Sequence, residues 1–106
     1  MPKYMVNGSY SIEGLKGVLA EGGTSRVEAV RQLFEASGGT LESMYFTFGS
    51  DDFVIIAETA DDVAASALSL MVTVSGAVKI RTTPLIMPEE IDAAAQQAVS
   101  YRPPGQ

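Results

Sequence analysis

The residues Gly39–Thr59, GTLESMYFTFGSDDFVIIAET, decide the fold of this chain. Two runs rich in aromatic and β-branched residues, Leu41–Phe48 and Phe53–Thr59, flank the polar centre Gly49-Ser50-Asp51-Asp52. A short link of Gly, Ser and Asp between two such runs is typical of a β-hairpin. The sequence therefore predicts a hairpin at this point, and the segments on either side are interpreted around it.

The N-terminal side of the hairpin predicts one strand and two helices. Lys3–Tyr10 has the aromatic and β-branched content of a strand. Ile12–Ala20 carries apolar residues at helical spacing, and Gly22-Gly23 separates it from a second helix. Ser25 and Glu28 have the spacing of a capping box, so we expect them to begin that second helix.

The C-terminal side predicts a helix, a strand and a further helix. Asp61 or Asp62 is suited to cap the first of these, and Gly76 is its expected end. Val78–Leu85 alternates as a strand does. Pro88 then suits a first helical position, so Pro88–Ser100 is predicted as a C-terminal helix. Residues 1–100 are expected to form one domain and residues 101–106 a flexible tail.

The element order is β-α-β-β-α-β followed by a helix. Right-handed crossovers convert this order into an α+β, ferredoxin-like fold, a four-stranded antiparallel sheet with helices on one face. The other face is left bare, and it carries either Met44, Phe46 and Phe48 or Leu41 and Tyr45. Because an exposed apolar patch of that size is uncommon, we expect self-association, sheet against sheet, as a homodimer or a larger dimer-based oligomer. Alternatively, loops or the C-terminal helix cover this face.

Composition limits the partners. The 106 residues include 13 acids and 7 bases, a net charge of −6, which argues against nucleic acid or an anionic membrane as a main partner. No apolar run approaches the ~20 residues of a membrane helix, and Met1-Pro2-Lys3 leads straight into a strand rather than a signal leader. We therefore expect a soluble, bacterial-type cytoplasmic protein.

The chain contains no cysteine and no histidine, which removes many chemistries. There is no imidazole base, no thiolate nucleophile, and no His or Cys ligand for zinc, copper or haem. Asp51-Asp52 and Asp61-Asp62 lack the spacing of a calcium loop, so they are interpreted as turn and cap residues. We expect no metal and no cofactor.

Two sets of residues are candidate sites. The first is the loop Gly22, Gly23 and Thr24 with Arg26, where backbone N–H groups, the helix dipole and a guanidinium could hold a small anion. The alternative is a plain kink between two helices.

The second set would serve catalysis. Asp52 or Glu58 would act as general base, Arg81 would hold an anionic substrate and Tyr45 would donate a hydrogen bond. The competing interpretation is that Glu58, Lys79 and Arg81 form cross-strand ion pairs.

Three separated segments carry a resemblance to a known family: YSIEGLKGVLAEGGTSR near the N-terminus, the central LESMYFTFGSDDFVII, and SGAVKIRTTPLIMPEE near the C-terminus. In this order they resemble the GYD domain family, over residues 1 to about 95. That family is similar to the dimeric α/β barrel group, in which two ferredoxin-like subunits pack their sheets together. The resemblance implies this fold and this assembly, and it implies no particular activity.

The family takes its name from a Gly-Tyr-Asp signature at the hairpin turn. Gly49 and Asp52 correspond to its glycine and aspartate, and Asp51 stands at the tyrosine position. If that tyrosine were a catalytic phenol, this chain would lack it; if the signature shapes a turn, aspartate can replace it. The expected function is a homo-oligomeric small-ligand-binding or assembly module. The alternative is a cofactor-independent enzyme acting on a small anionic or carbonyl substrate.

Overall fold

A computed structural model describes residues 1–106, and it has the predicted element order with the first helical unit broken in two. The elements are β1 (Lys3–Tyr10), α1 (Ile12–Glu21), α2 (Gly23–Ala36), β2 (Thr40–Phe46), β3 (Phe53–Glu58), α3 (Asp62–Val74), β4 (Val78–Leu85) and α4 (Pro88–Ala95). The strands form one antiparallel sheet in the order β2-β3-β1-β4. The predicted α+β class and four-stranded antiparallel sheet are therefore confirmed, and this order is that of a ferredoxin-like fold.

The hydrophobic core lies between one face of the sheet and helices α2 and α3. Apolar side chains that alternate along the strands form its floor, and Val30 and Phe34 of α2 cover them. The buried strand residues of this core are Val6, Leu41, Phe53, Ile55, Ala57 and Val78. Gly8 belongs to the same face, and a Cβ atom there would lie 2.3 Å from the Phe53 ring. The Phe53 ring thus takes the space that the missing side chain leaves.

The hairpin differs from the prediction in its first arm and in its turn. A β-bulge between Leu41 and Ser43 interrupts the alternation of β2, so Leu41 is buried and Met44 also packs against the core. Strict alternation would have placed Leu41 and Met44 on opposite faces. Strand β2 ends at Phe46 instead of the predicted Phe48, and the connection runs over residues 47–52.

Asp52 fastens the tip of the hairpin to β1. Its backbone N–H donates to the Gly8 carbonyl at 2.8 Å, and its carboxylate Oδ2 accepts from the Tyr10 N–H at 2.9 Å. Its carbonyl accepts from the Thr47 N–H at 2.8 Å, which closes the turn. We call these three hydrogen bonds the Asp52 clamp. Through them a single turn residue fixes both its own loop and the end of the neighbouring strand.

The helix ends follow the predictions in part. Asp61 caps α3, and its side chain accepts from the Ala64 N–H at 2.8 Å. The capping box at Ser25 is wrong, because α2 already begins at Gly23 and Gly22, with φ of 91°, occupies the N-cap without a side-chain hydrogen bond. Glycine tolerates this φ, which lets α1 and α2 meet at one residue. Helix α4 ends at Ala95 instead of Ser100.

The C-terminal segment stands apart from the body of the molecule. Every residue of 86–106 is exposed, and α4 buries no residue. The radius of gyration is 16.9 Å, whereas a compact domain of this length has about 13 Å. None of the helices is long and apolar enough to cross a membrane.

Removal of the Asp52 carboxylate is expected to destabilise the fold. In Asp52→Ala the Tyr10 N–H loses its acceptor, which should lower the free energy of unfolding by about 1–2 kcal/mol. Asp52→Asn keeps a carbonyl acceptor and should lose less. Urea unfolding followed by circular dichroism measures both changes.

The matched control for this experiment is Asp51→Ala. Asp51 forms an exposed ion pair with Arg81 at 3.3 Å, so its loss should change the free energy of unfolding by less than about 0.5 kcal/mol. If Asp51→Ala costs as much as Asp52→Ala, the ion pair rather than the clamp holds the hairpin tip.

Candidate functional site

An apolar cavity of about 50 Å³ lies between the sheet and helices α2 and α3. Of its 12 lining residues, 11 are hydrophobic, and the exception is Arg26. The lining residues are Val6, Tyr10, Arg26, Val30, Leu33, Phe34, Met44, Phe53, Ile55, Val72, Val78 and Ile80. We call this space the inner cavity. An arginine in such a wall is unusual, because charged side chains are rarely placed against apolar surfaces without a partner.

A second space of about 230 Å³ adjoins the inner cavity and shares Tyr10, Arg26 and Val78 with it. We call it the outer pocket. Its remaining walls come from α1 and from the residue before β4. These residues are Gly14, Gly17, Val18, Glu21 and Ala77. A Cβ atom built on Gly17 would meet no atom within 4 Å, so this wall of α1 faces open space. Arg26 and Tyr10 therefore stand at the boundary between an apolar and a more polar compartment.

The guanidinium of Arg26 has an unused hydrogen-bond donor. Its Nε atom is buried and has no hydrogen-bond partner, and none of the four ion pairs of the chain includes Arg26. Arg26 lies in the first turn of α2, where its own N–H donates to the Gly22 carbonyl at 3.1 Å. A buried donor without a partner destabilises a folded protein by about 1–3 kcal/mol. An anionic ligand at this point would remove that cost.

Tyr10 provides a neutral hydrogen-bond donor beside Arg26. Its ring packs on Phe53, with centroids 5.2 Å apart and planes tilted by 41°, and the Asp52 clamp holds its backbone. Burial raises the pKa of the Tyr10 phenol, and the nearby Arg26 guanidinium opposes that shift without cancelling it. The phenol therefore stays protonated at neutral pH and can donate a hydrogen bond.

The predicted glycine loop and Arg26 do not share a pocket. Gly22, Gly23 and Thr24 line an open groove of about 840 Å³ at the surface, together with Glu21, Ser25, Val27, Glu28 and Arg31. The side chain of Arg26 instead lines the inner cavity and the outer pocket. The loop thus fixes where α2 begins, and Arg26 reaches a different compartment.

The residues predicted for catalysis are also separated. Asp52 is engaged in the clamp, whereas Arg81 pairs with Asp51 and lines a surface pocket of about 440 Å³ to which Asp52 does not contribute. Glu58 lies opposite Lys3 and Thr40 at the other end of the sheet. The predicted ion pairs among Glu58, Lys79 and Arg81 are wrong. Lys3 pairs with Glu42 at 3.0 Å instead.

The bare sheet face is less apolar than the sequence predicts. Because of the bulge in β2, Leu41, Met44 and Phe46 belong to the covered face, and Tyr45, 67% exposed, lies on the bare face opposite Val54. The central row of the bare face consists of Ser43, Ile56, Met5 and Thr83, and the next row consists of Tyr45, Val54, Asn7 and Arg81. The face thus combines an apolar centre with polar and charged margins.

The sequence did not predict that Tyr10 and Arg26 lie side by side. Arg26 was recognised as an anion holder, but it was joined to the glycine loop beside it in sequence. Tyr10 belongs to the predicted strand Lys3–Tyr10 and to neither predicted site. The signal for their contact is that Tyr10 alternates with Val6, a core residue, while Arg26 lies one helical turn before Val30, another core residue. No group of three or more carboxylates lies close enough together to hold a metal ion.

Comparison with known proteins identifies the family. The model of the GYD domain family matches residues 4–95 of the 106-residue chain, and the chain belongs to that family. No curated protein matches the chain, and neither does any solved structure.

Replacement of Arg26 by an uncharged side chain is expected to stabilise the free protein. Met fills a similar volume without a charge to desolvate, so Arg26→Met should raise the free energy of unfolding by about 1 kcal/mol. The control is Arg31→Met on the same helix, which removes an exposed pair with Glu28 at 3.4 Å and should change the value by less than about 0.5 kcal/mol. Urea unfolding without added anions measures both. A loss of stability in Arg26→Met would assign Arg26 a structural role.

Proposed function

We propose that this member of the GYD domain family is a homo-oligomeric module that binds a small anionic ligand at Arg26 and Tyr10. One observation carries the proposal: a buried guanidinium nitrogen without a partner, in the wall of a cavity that is otherwise apolar. Binding sites for small molecules are mostly apolar clefts with a few polar groups that fix orientation. The inner cavity and the outer pocket together have this character.

The choice of an anion follows from the donors. Arginine has only hydrogen-bond donors and a permanent positive charge, and the protonated Tyr10 phenol adds a neutral donor at the same boundary. No acceptor side chain of this chain satisfies the Arg26 Nε atom. A ligand with acceptor oxygens would accept hydrogen bonds from both the Arg26 guanidinium and the Tyr10 phenol. Charge-assisted hydrogen bonds of this kind are among the stronger ones.

Self-association through the bare sheet face is the second part of the proposal, and the charges on that face support it. One end of the face carries two carboxylates and one amine, from Glu42, Glu58 and Lys3. The opposite end carries two cations and one carboxylate, from Lys79, Arg81 and Asp51. In a face-to-face dimer, a two-fold axis that lies between the two sheets and runs perpendicular to the strands would place unlike ends together.

The C-terminal segment also supports self-association. Ile86, Met87 and Ile91 are 50–61% exposed, Val99 and Tyr101 are also exposed, and residues 86–106 include no buried residue. Apolar side chains on a segment that stands apart from its own domain indicate contact with another surface. A second copy of the chain is always present together with this segment and can supply such a surface.

A cofactor-independent enzyme acting on a small anionic or carbonyl substrate is the second candidate function. One observation favours it: Glu21, Arg26 and Tyr10 all line the outer pocket, so a carboxylate, a cation and a protonated phenol surround one space. Arg26 would hold the substrate, Tyr10 would donate a proton and Glu21 would accept one. Turnover of a bound ligand, followed by NMR of the ligand, separates this candidate from simple binding.

Small anions are expected to raise the melting temperature of the wild-type protein through Arg26. A ligand at 100 times its Kd stabilises by about 2.7 kcal/mol, which corresponds to roughly 10 °C or more for a domain of this size. The panel contains phosphate, monocarboxylates and dicarboxylates at equal ionic strength. Arg26→Met should lose the shift and Arg31→Met should keep it. Equal shifts in both variants, or no shift with any anion, would contradict the proposed binding.

A charge in the centre of the bare face is expected to separate the subunits. Ile56→Glu places an unpaired carboxylate in the central row, whereas Val63→Glu places one on α3, where Val63 is 77% exposed. Light scattering after size exclusion at micromolar concentration should give a dimer or larger for wild type and Val63→Glu, and a monomer for Ile56→Glu. A monomeric wild type would refute the self-association.

A further inference from the structure

We propose that the ligand of the Arg26 site is a monocarboxylate with a short apolar tail. The carboxylate binds at Arg26 and Tyr10, and the tail enters the inner cavity. This inference rests on the proposed function and specifies the chemical class of its ligand. The juxtaposition that carries it is one cation, without an ion pair and with a buried Nε donor that has no partner, at the edge of a small space with apolar walls.

The charges around the site favour a ligand with one negative charge. Arg26 is the only cation among the residues that line the inner cavity and the outer pocket, and Glu21 lines the outer pocket as well. The chain as a whole carries a charge of −6. A phosphate or dicarboxylate would bring a second negative charge toward Glu21 with no second cation to balance it. A carboxylate needs only the one guanidinium.

The shapes of the donor groups fit a carboxylate. A guanidinium is planar and binds the two oxygens of a carboxylate with parallel N–H groups. Tyr10 lies at the same boundary, since both residues line both compartments, and its hydroxyl can donate to one of these oxygens. The Asp52 clamp holds the backbone of Tyr10 and thereby limits where the phenol can lie.

The inner cavity sets the length of the tail. Its volume is about 50 Å³, and its walls beyond Arg26 are hydrophobic. A dry apolar cavity of about 150 Å³ holds a benzene ring, so the inner cavity has room for a tail of about two or three carbons. Each methylene that enters should tighten binding about four-fold, and carbons beyond the third should add nothing.

The outer pocket determines which substituents the ligand can carry next to its carboxylate. At about 230 Å³ it has room for a polar substituent next to the carboxylate, and Gly17 leaves that room open. A side chain at position 17 would project into this pocket without meeting protein atoms within 4 Å of its Cβ. Position 17 therefore offers a way to block the site from its open side without disturbing the core.

The experiment is a titration of the full wild-type chain, labelled with ¹⁵N, with sodium acetate, butyrate and octanoate at constant ionic strength. The backbone amide shifts of residues 26, 72 and 78 report binding. Butyrate should bind about tenfold or more tighter than acetate, because two more methylenes are buried, and octanoate should gain little over butyrate. Butyramide, which has the same shape without the charge, should bind at least about tenfold more weakly than butyrate.

Two pairs of variants locate the ligand. Arg26→Met should weaken butyrate binding about tenfold or more, whereas Arg31→Met should leave it unchanged. Gly17→Leu should block butyrate, whereas Ala20→Leu, at an exposed position of α1 that lines neither compartment, should not. Glu21→Gln should tighten binding about two- to five-fold by removing a like charge. The tail series needs no variant, so it tests the inference even if one of these proteins fails to fold.

The outcomes separate this inference from the proposed function. If phosphate or a dicarboxylate binds in an Arg26-dependent manner but acetate and butyrate bind equally, the anion site stands and the short-tail monocarboxylate is refuted. If octanoate binds far more tightly than butyrate, the limit set by the inner cavity is wrong. If no anion changes the amide shifts near Arg26, both the inference and the proposed function fail.

Discussion

The Asp52 clamp is the constraint on which the candidate site depends. Strand β1 lies inside the sheet, and its last residue, Tyr10, forms a wall of both compartments. Beyond Gly8 the backbone pairing with β3 ends, so the Tyr10 N–H needs another acceptor on that side, and the Asp52 carboxylate provides it at 2.9 Å. A side chain thus continues the ladder where the backbone of the turn cannot. The same residue precedes Phe53, whose ring packs on Tyr10.

Arg26 shows how the helices contribute to the same site. Helix α2 supplies Val30 and Phe34 to the core, so its rotation about its own axis is fixed by packing. Arg26, one turn before Val30, must then face the sheet rather than the solvent. The chain reaches this geometry because α1 ends and α2 begins around one glycine, Gly22, with φ of 91°. The free protein keeps a buried donor without a partner, which lowers its stability.

The sequence predicted most of the architecture and less of the site. The hairpin, the edge strand Val78–Leu85 and the cap at Asp61 follow from local patterns, which act over a few residues. The bulge after Leu41 left no local signal, and it changed which residues of β2 face the core. Helix α4 was predicted too long because its alanine-rich sequence favours a helix, whereas α4 buries no residue that would stabilise its last turn. The site was divided wrongly because Tyr10 and Arg26 meet only through tertiary packing.

The three turn residues that resemble the family signature have different structural roles. Gly49 has φ of 153°, a conformation that favours glycine, and Asp52 forms the clamp. Asp51 lies at the hairpin tip and pairs with Arg81, which is 67% exposed. Gly49 and Asp52 therefore shape the backbone, whereas the side chain of Asp51 makes only a surface ion pair. A change there leaves the clamp, Tyr10 and the cavity intact. Arg81 alternates with Ile80, a wall of the inner cavity, so the Asp51–Arg81 pair and the cavity lie on opposite faces of the sheet.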